Sequence, residues 1–214
     1  MTLRVNIGCG KTPIKGWINF DNSLAIKLAN SPFLFFLTKI LKLINNQQVK
    51  NIEWNKRNEI HFADATKKIP LKDNSVECVY TSHMIEHLSR PGVTLFLNEV
   101  HRILKDGGIL RISVPDLKIV TENYLSEGDA NNFMEKLFVE APPINSLKEK
   151  LQLFFIGYRH HQWMYDGKSL SNLIKNLGFK NVKVCKKGET SIKNINGSNL
   201  FERSDESVYV EGLK

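Results

Sequence analysis

Short strand-like runs and longer helical stripes alternate along this chain. The first run, Leu3 to Ile7, is a β-branched strand that leads directly into two glycines separated by one residue. Residues 76–81 and 109–114 are two more apolar runs. The helix predicted from Pro91 to Lys105 lies between them and places on one face Val93, Phe96, Leu97, Val100, Ile103 and Leu104. This alternation predicts an α/β fold with a parallel sheet.

Two apolar segments each close on an aspartate. One runs from Trp17 to Asp21, and the other runs from Ile60 to Asp64. Together with the early glycines, these carboxylates indicate the nucleoside-binding edge of an open α/β sheet. Near the C-terminus, a helix is predicted over residues 168–177, followed by strands over 181–185 and 207–213.

Residues 23–58 interrupt the alternation between the second and third strands. Ser31 and Pro32 suit the N-cap and first turn of a helix. Apolar residues then recur at helical spacing, at Phe33, Phe36, Leu37, Ile40, Leu41 and Ile44. A bilayer span needs about 20 apolar residues, so this helix is too short to cross a membrane. We expect the stripe to pack on the domain, to form a homodimer, or to contact a membrane surface.

Three other nucleotide-binding patterns fail at fixed positions. A Walker A loop ending at Gly10-Lys11-Thr12 would need a glycine where Val5 stands. A dinucleotide fingerprint would need a third glycine in place of Pro13. None of the five tyrosines stands four residues before a lysine, as the proton-donor pair of a short-chain dehydrogenase would require. Hydride transfer is therefore disfavoured.

Four segments, in this order and spacing, carry a resemblance to a known family. They are Gly16-Trp17-Ile18-Asn19-Phe20-Asp21, residues 70–80, Ser82-His83-Met84-Ile85-Glu86-His87-Leu88 and residues 99–116, with His161-Gln162-Trp163-Met164-Tyr165-Asp166 as a further match. The chain resembles the class I S-adenosylmethionine-dependent methyltransferases, specifically the small single-domain, type 11-like group often associated with surface-polysaccharide pathways. The resemblance covers most of the chain outside residues 23–58.

The resemblance implies the fold and the cofactor. The expected fold is a Rossmann-like three-layer sandwich whose seven-stranded, mostly parallel sheet ends in an antiparallel strand. A single domain over 1–214 is expected, with a helical insertion at about 23–58 and an acceptor-side helical region at about 117–160. The cofactor is S-adenosylmethionine, with S-adenosylhomocysteine as product and no metal. The residues expected to bind it are Asn6, Gly8, Cys9, Gly10, Asp21, Asp64, Ala65 and Ser82.

Individual roles follow from the same resemblance. Asp21 suits the ribose hydroxyls, and Asp64 with the amide of Ala65 suits the adenine; a turn or cap role is the alternative for either aspartate. Asn6 stands where an acid is usual and would contact the cofactor's ammonium through its amide oxygen. Cys9 is a small loop residue rather than a nucleophile.

Methyl transfer to a hydroxyl requires a base, and histidine suits this role at neutral pH. His83, after the fourth strand, and His161, beside Trp163 and Tyr165, are the two candidates. The two aromatic residues would form a wall for a sugar. Glu86 and His87 are expected to cap the segment that follows them.

Composition limits the remaining alternatives. The chain has 214 residues and a net charge of +8, and its late lysines could face nucleic acid, an anionic membrane or only solvent. Three widely spaced cysteines fit no metal motif and favour the cytoplasm, with peripheral membrane contact through Phe33–Ile44 as an option. Thr81-Ser82-His83 replaces the Asn-Pro-Pro-aromatic segment of nucleobase amine methyltransferases, so a nucleic-acid acceptor is disfavoured.

We therefore predict O-methylation of a carbohydrate, a lipid-linked glycan or a related small molecule. The alternatives are a non-catalytic S-adenosylmethionine-binding module and a nucleic-acid methyltransferase.

Overall fold

Seven strands form one sheet in the computed structural model of the chain. It describes residues 3–41, 43–140, 160–193, 195, 200–201 and 203–214. The strands are Leu3–Ile7 (β1), Ile18–Asp21 (β2), Ile60–Phe62 (β3), Val76–Ser82 (β4), Leu104–Pro115 (β5), Lys180–Cys185 (β6) and Ser207–Leu213 (β7). Their order in the sheet is β3-β2-β1-β4-β5-β7-β6. The first five strands are parallel, whereas β7 is antiparallel to both β5 and β6. The predicted fold class is confirmed.

The helices connect these strands. They are Leu24–Ala29 (α1), Pro32–Ile40 (α2), Asn46–Arg57 (α3), Arg90–Ile103 (α4), Leu117–Glu127 (α5), Ala130–Leu137 (α6) and Gly167–Asn176 (α7), with a 3-10 turn at Ile85–His87. Helices α1 to α3 form the insertion between β2 and β3, as predicted. The part of the predicted acceptor-side region at 141–159 lies outside the described residues.

Helix α4 forms as its pattern predicts. Ser89 caps its first turn by accepting a hydrogen bond from the amide of Gly92. All six stripe residues are fully buried, and they join the main core together with residues of β1, β5 and α7. One boundary differs from the prediction. Leu104 belongs to β5 rather than to the helix, because its backbone turns to the extended region at ψ 140°.

The insertion buries only part of its apolar surface. Phe35 and Ile44 pack against a small cluster formed by Leu28, Ala29 and Ile52. The outer face of α2 stays in solvent, with Phe33 72% exposed and Phe36 61% exposed. The prediction that the stripe could pack on its own domain is therefore wrong for this outer face. Within the described part of the chain, no helix combines the length and apolarity needed to cross a bilayer.

Candidate active site at the carboxyl edge of the sheet

The loop after β1 requires its two glycines. Gly8 and Gly10 have φ values of +71° and +50°, in the left-handed region that other residues adopt at a cost. The amides of Gly8 and Cys9 both donate to the carbonyl of Phe20 on β2. A Cβ atom added at Gly8 would lie 2.4 Å from Cγ of Met84, whereas one added at Gly10 would enter open space. The loop therefore leaves room at Gly10 for close approach of a ligand.

Asp21 joins this loop to the end of β2. Its Oδ2 accepts a hydrogen bond from the amide of Gly10 at 3.0 Å, and its Oδ1 accepts one from the amide of Ser23 at 2.9 Å. A carboxylate offers about four acceptor positions, so two positions remain. The structure thus brings Gly8, Gly10 and Asp21 together at one edge of the sheet, and the carboxylate keeps acceptor capacity for a pair of hydroxyls.

Asn6 and Asn19 hold the loop from beneath. The amide nitrogen of Asn6 donates to the carbonyl of Thr12 and to Oδ1 of Asn19, both at 3.1 Å. Asn19 in turn exchanges two hydrogen bonds with the backbone of Ile14. Asn6 is buried, and its amino group serves this internal network. Contact between its amide oxygen and the cofactor stays a prediction.

Cys9 is unsuited to nucleophilic chemistry. It is buried against Ile26 and Ile60. Burial, with a smaller contribution from the nearby Asp21 carboxylate, raises the pKa of its thiol to about 12. The thiol therefore stays protonated at neutral pH, in agreement with the role of a small loop residue.

Asp64 and Ala65 follow β3, next to Asp21 on the neighbouring strand. Oδ1 of Asp64 accepts hydrogen bonds from the amide and hydroxyl of Thr66, and Oδ2 pairs with Lys67 at 3.0 Å. Burial alone would raise the pKa of Asp64, but these bonds outweigh it and hold the pKa below its usual value. Asp64 thus has the turn role that was its alternative interpretation. Its contact with adenine, and that of Ala65, stay predictions.

The end of β4 carries Ser82 and His83. His83 has a φ of +49°, and its amide donates to the carbonyl of Ser113 on β5. Its Nε2 lies 2.9 Å from Oγ of Ser207, and its Nδ1 lies 2.9 Å from a guanidinium nitrogen of Arg203. Sequence reasoning missed both partners, because they are more than 100 residues away along the chain.

Glu86 lies at the centre of a group of histidines. Its Oε1 is 3.5 Å from Nδ1 of His83 and 4.0 Å from Nε2 of His87. His161 completes the group, and its ring centroid is 5.0 Å from that of His87. Burial lowers the pKa of His161, which favours the neutral ring. The expectation that Glu86 caps the next segment is wrong, since neither of its carboxylate oxygens has a hydrogen-bond partner among the described residues.

A cavity of about 620 Å³ opens beside these histidines. His87 and His161 line it, together with the aromatic side chains of Tyr124, Phe133 and Phe138. The predicted aromatic wall is wrong in its members. Tyr165 is buried and lies within 3.4 Å of Arg90, and Trp163 stacks on that same arginine instead of lining the cavity. The aromatic side chains that line the cavity come from α5, α6 and the residue that follows α6. Nothing in the sequence of these helices indicated a binding site.

The described residues suit S-adenosylmethionine at its nucleoside end. The loop leaves open space above Gly10, and Asp21 presents a partly exposed carboxylate at the neighbouring strand end. A carboxylate at this position can accept hydrogen bonds from vicinal hydroxyls, as in other open α/β sheets that bind nucleosides at the carboxyl ends of their strands.

Comparison with known proteins finds a family model that matches the central part of the chain. A family model described as a methyltransferase domain matches residues 38–112, which run from α2 to β5. The matched range does not include the glycine loop, which lies before it. No curated protein matches the chain in sequence.

Solved structures show the same fold. A protein from Thermotoga maritima, described as an S-adenosylmethionine-dependent methyltransferase and possible histamine N-methyltransferase, is 18% identical, with a TM-score of 0.53 over 100% of this chain and 83% of its own. An S-adenosylmethionine-dependent methyltransferase from Methanosarcina mazei is 16% identical, with a TM-score of 0.50 over 99% of this chain and 91% of its own.

PigF, solved with S-adenosylhomocysteine, is 13% identical, with a TM-score of 0.50 over 99% of this chain and 50% of its own. The chain is therefore similar to S-adenosylmethionine-dependent methyltransferases in two respects: a methyltransferase-domain model matches its central part, and solved methyltransferases share its fold.

Proposed function

We propose that the protein methylates an oxygen atom of a carbohydrate, a lipid-linked glycan or a related small molecule, with His83 as the base. The observation that carries this proposal is the contact of 2.9 Å between Nε2 of His83 and the hydroxyl of Ser207. It shows that a hydroxyl group can reach this ring nitrogen at the carboxyl end of β4. An acceptor hydroxyl in the place of Ser207 would lie within proton-transfer distance of this ring nitrogen.

Different residues of this chain would bind the cofactor and accept the proton. Bound S-adenosylmethionine would supply an electrophilic methyl group on a sulfonium. The glycine loop and Asp21 would hold the nucleoside end in place, and such positioning is worth about 7–11 kcal/mol in favourable cases. The guanidinium of Arg203 can only donate, so Nδ1 of His83 accepts from it here and Nε2 carries the proton. When the acceptor displaces Arg203, the proton would move to Nδ1, which faces the Glu86 carboxylate 3.5 Å away, and Nε2 would be free to take the acceptor's proton.

His161 is the second candidate base. Its Nδ1 lies 2.9 Å from the carbonyl of Leu137, which can only accept, so Nδ1 carries the proton and Nε2 keeps the lone pair. Burial lowers the pKa of His161, which favours the neutral ring, and this ring lines the cavity. The contact with a hydroxyl is nevertheless made by His83 and not by His161, so we assign the base to His83 and keep His161 as a residue that lines the cavity.

His83→Ala is expected to lower turnover by about 10²- to 10⁴-fold, the usual contribution of a general base. The affinity for S-adenosylmethionine should change little, and calorimetry would measure it separately. Product formation would be followed by mass spectrometry across saccharides, lipid-linked saccharides and oligonucleotides.

The matched control is His61→Ala, an exposed histidine on β3. Full activity of His83→Ala would contradict the assignment of the base. Activity lost only in His161→Ala would transfer the role to that residue. Binding of S-adenosylmethionine without any methylated product would instead indicate a non-catalytic module, and methylated oligonucleotides would indicate a nucleic-acid acceptor.

The exposed face of α2 supports an acceptor that is presented at a membrane. Phe33, Phe36 and Ile40 form an apolar surface in solvent, and Lys39 lies on the same helix. Two copies that each carry a net charge of +8 repel one another, whereas an anionic lipid surface attracts the chain. We therefore assign this face to peripheral membrane contact in the cytoplasm rather than to a homodimer.

Phe33→Ser combined with Phe36→Ser should weaken binding to vesicles at least about tenfold, because burying one such side chain is worth about 1.5–3 kcal/mol. Co-sedimentation with vesicles of phosphatidylcholine and phosphatidylglycerol would measure this. Leu125→Ser is the matched control, since Leu125 is 76% exposed but lies on α5. A stable dimer without lipid, lost in the double variant, would contradict the membrane assignment.

A further inference from the structure

Glu86 carries a buried carboxylate that accepts no hydrogen bond from the residues that the structure describes. Glu86 lies in the 3-10 turn after β4 and is fully buried. Neither Oε1 nor Oε2 has a hydrogen-bond partner among the described residues. Its backbone carbonyl accepts hydrogen bonds from the amides of Gln162 and Trp163. The side chain is therefore held by its backbone in a place where its charge is not compensated by a donor.

Such an arrangement is costly unless a positive charge is present. Removing a carboxylate from water costs several kcal/mol, and proteins offset this cost by pairing the group or by letting it coordinate a metal. Among the described residues, the imidazoles of His83 and His87 lie beside the Glu86 carboxylate, and His161 lies in the same group. A bound proton or a bound cation can satisfy this cluster.

The two outer histidines are oriented as metal ligands usually are. Nδ1 of His87 lies 3.2 Å from the carbonyl of His160, and Nδ1 of His161 lies 2.9 Å from the carbonyl of Leu137. Because a carbonyl only accepts, each Nδ1 carries the proton and each Nε2 keeps its lone pair. Metal-bound histidines typically donate their other ring nitrogen to a backbone carbonyl in this way, which fixes the tautomer and the ring orientation.

We propose that Glu86, His87 and His161 form a binding site for a divalent transition-metal cation, and that Zn²⁺ fits it best. One ligand atom from each residue lies within 4.8 Å of the other two. Two imidazoles and one carboxylate are a usual zinc ligand set, with bonds of about 2.0–2.2 Å. Tetrahedral coordination would bring the ligand atoms to about 3.3 Å from one another, so small side-chain rotations complete the site.

His83 stays outside this ligand set. Its Nδ1 accepts from Arg203 and its Nε2 contacts Ser207, so both ring nitrogens already have partners. The fourth coordination position is available on the side of the cavity that His87 and His161 line. Three protein ligands and one open position are typical of zinc sites that bind water or a substrate oxygen. The cysteine spacing predicted no metal because none of these ligands is a cysteine.

Metal content of the full-length chain tests the proposal. The protein would be prepared without a histidine tag, stripped with a chelator, dialysed and titrated with ZnCl₂ in a calorimeter. We expect about one Zn²⁺ per chain, and a rise in the thermal unfolding midpoint that follows from binding to the folded state. Substitution with Co²⁺ should give the visible absorption of a four-coordinate site.

His87→Ala removes the most exposed ligand and is expected to fold. It should weaken Zn²⁺ binding by about two orders of magnitude, because one of three protein ligands is lost. His161→Ala should do the same, and His101→Ala, on α4 outside the cluster, is the control that should bind as the wild type does.

A wild-type chain that binds no Zn²⁺ and shows no thermal shift would overturn the proposal, as would unchanged binding by both His87→Ala and His161→Ala. These measurements use neither S-adenosylmethionine nor an acceptor. Their failure is therefore distinct from failure of the proposed methyl transfer.

Discussion

Asp21→Ala is expected to weaken binding of S-adenosylmethionine by about two orders of magnitude or more. Hydrogen bonds to a charged group are worth about 1.5–3 kcal/mol each. The variant loses the bonds that we expect to both ribose hydroxyls, and about 1.4 kcal/mol corresponds to a tenfold change in affinity. It also releases the amides of Gly10 and Ser23, which the carboxylate now holds. Calorimetry with S-adenosylmethionine and S-adenosylhomocysteine would measure the loss.

Two further variants separate charge from loop structure. Asp21→Asn keeps one carbonyl oxygen and should fall between the wild type and Asp21→Ala. Asp106→Ala removes one negative charge from an exposed position between α4 and the main part of β5, and should bind as the wild type does. Asp21→Ala with wild-type affinity and wild-type stability would show that the ribose lies elsewhere.

The second large effect concerns stability. Arg111 on β5 and Glu211 on β7 stand opposite each other in the sheet, both buried, with 2.8 Å between Nη1 and Oε1. Arg111→Met is expected to lower the free energy of unfolding by about 3–5 kcal/mol, because it leaves a buried carboxylate without its counter-charge. Urea denaturation would measure the change. Replacing both residues with methionine should cost less than the sum of the single changes.

A surface pair provides the control for this experiment. Lys118 and Glu122 on α5 are exposed and 3.7 Å apart, so Lys118→Met should change the free energy of unfolding by less than about 1 kcal/mol. Loss of only that amount in Arg111→Met would contradict the assigned role of the buried pair.

Acidic pH should reduce the contribution of Glu211 to the stability of the folded state. Burial alone would raise the pKa of Glu211, but hydrogen bonds from Thr190, Ser191 and Arg111 outweigh burial and hold the pKa below its usual value. Its charge therefore stabilises the folded state above the unfolded pKa, and this stability is lost as pH falls through the lowered folded pKa. The difference in stability between wild type and Glu211→Gln should narrow accordingly at acidic pH.

The sequence alone predicted the α/β class, the main helices and strands, and the glycine loop with Asp21 at the carboxyl edge of the sheet. Strands and helices bury continuous apolar faces, so local periodicity is enough to locate α4, β4 and β7 within one or two residues. Gly8, Gly10 and Asp21 could be found for a related reason. A tight turn and a carboxylate at a strand end are local features, and parallel strands bring their carboxyl ends to one edge.

Only the tertiary structure decided which residues surround the histidines. Ser207 and Arg203 reach His83 across more than 100 positions, and Glu86 meets His161 across 75. No sequence period records such contacts, because they depend on how β7 and the turn after β4 pack together. Burial is likewise a property of the whole fold. In the folded chain Tyr165 is buried and cannot form the predicted aromatic wall, whereas Phe33 is exposed to solvent. The Glu86 carboxylate is buried at a place where its charge needs a partner.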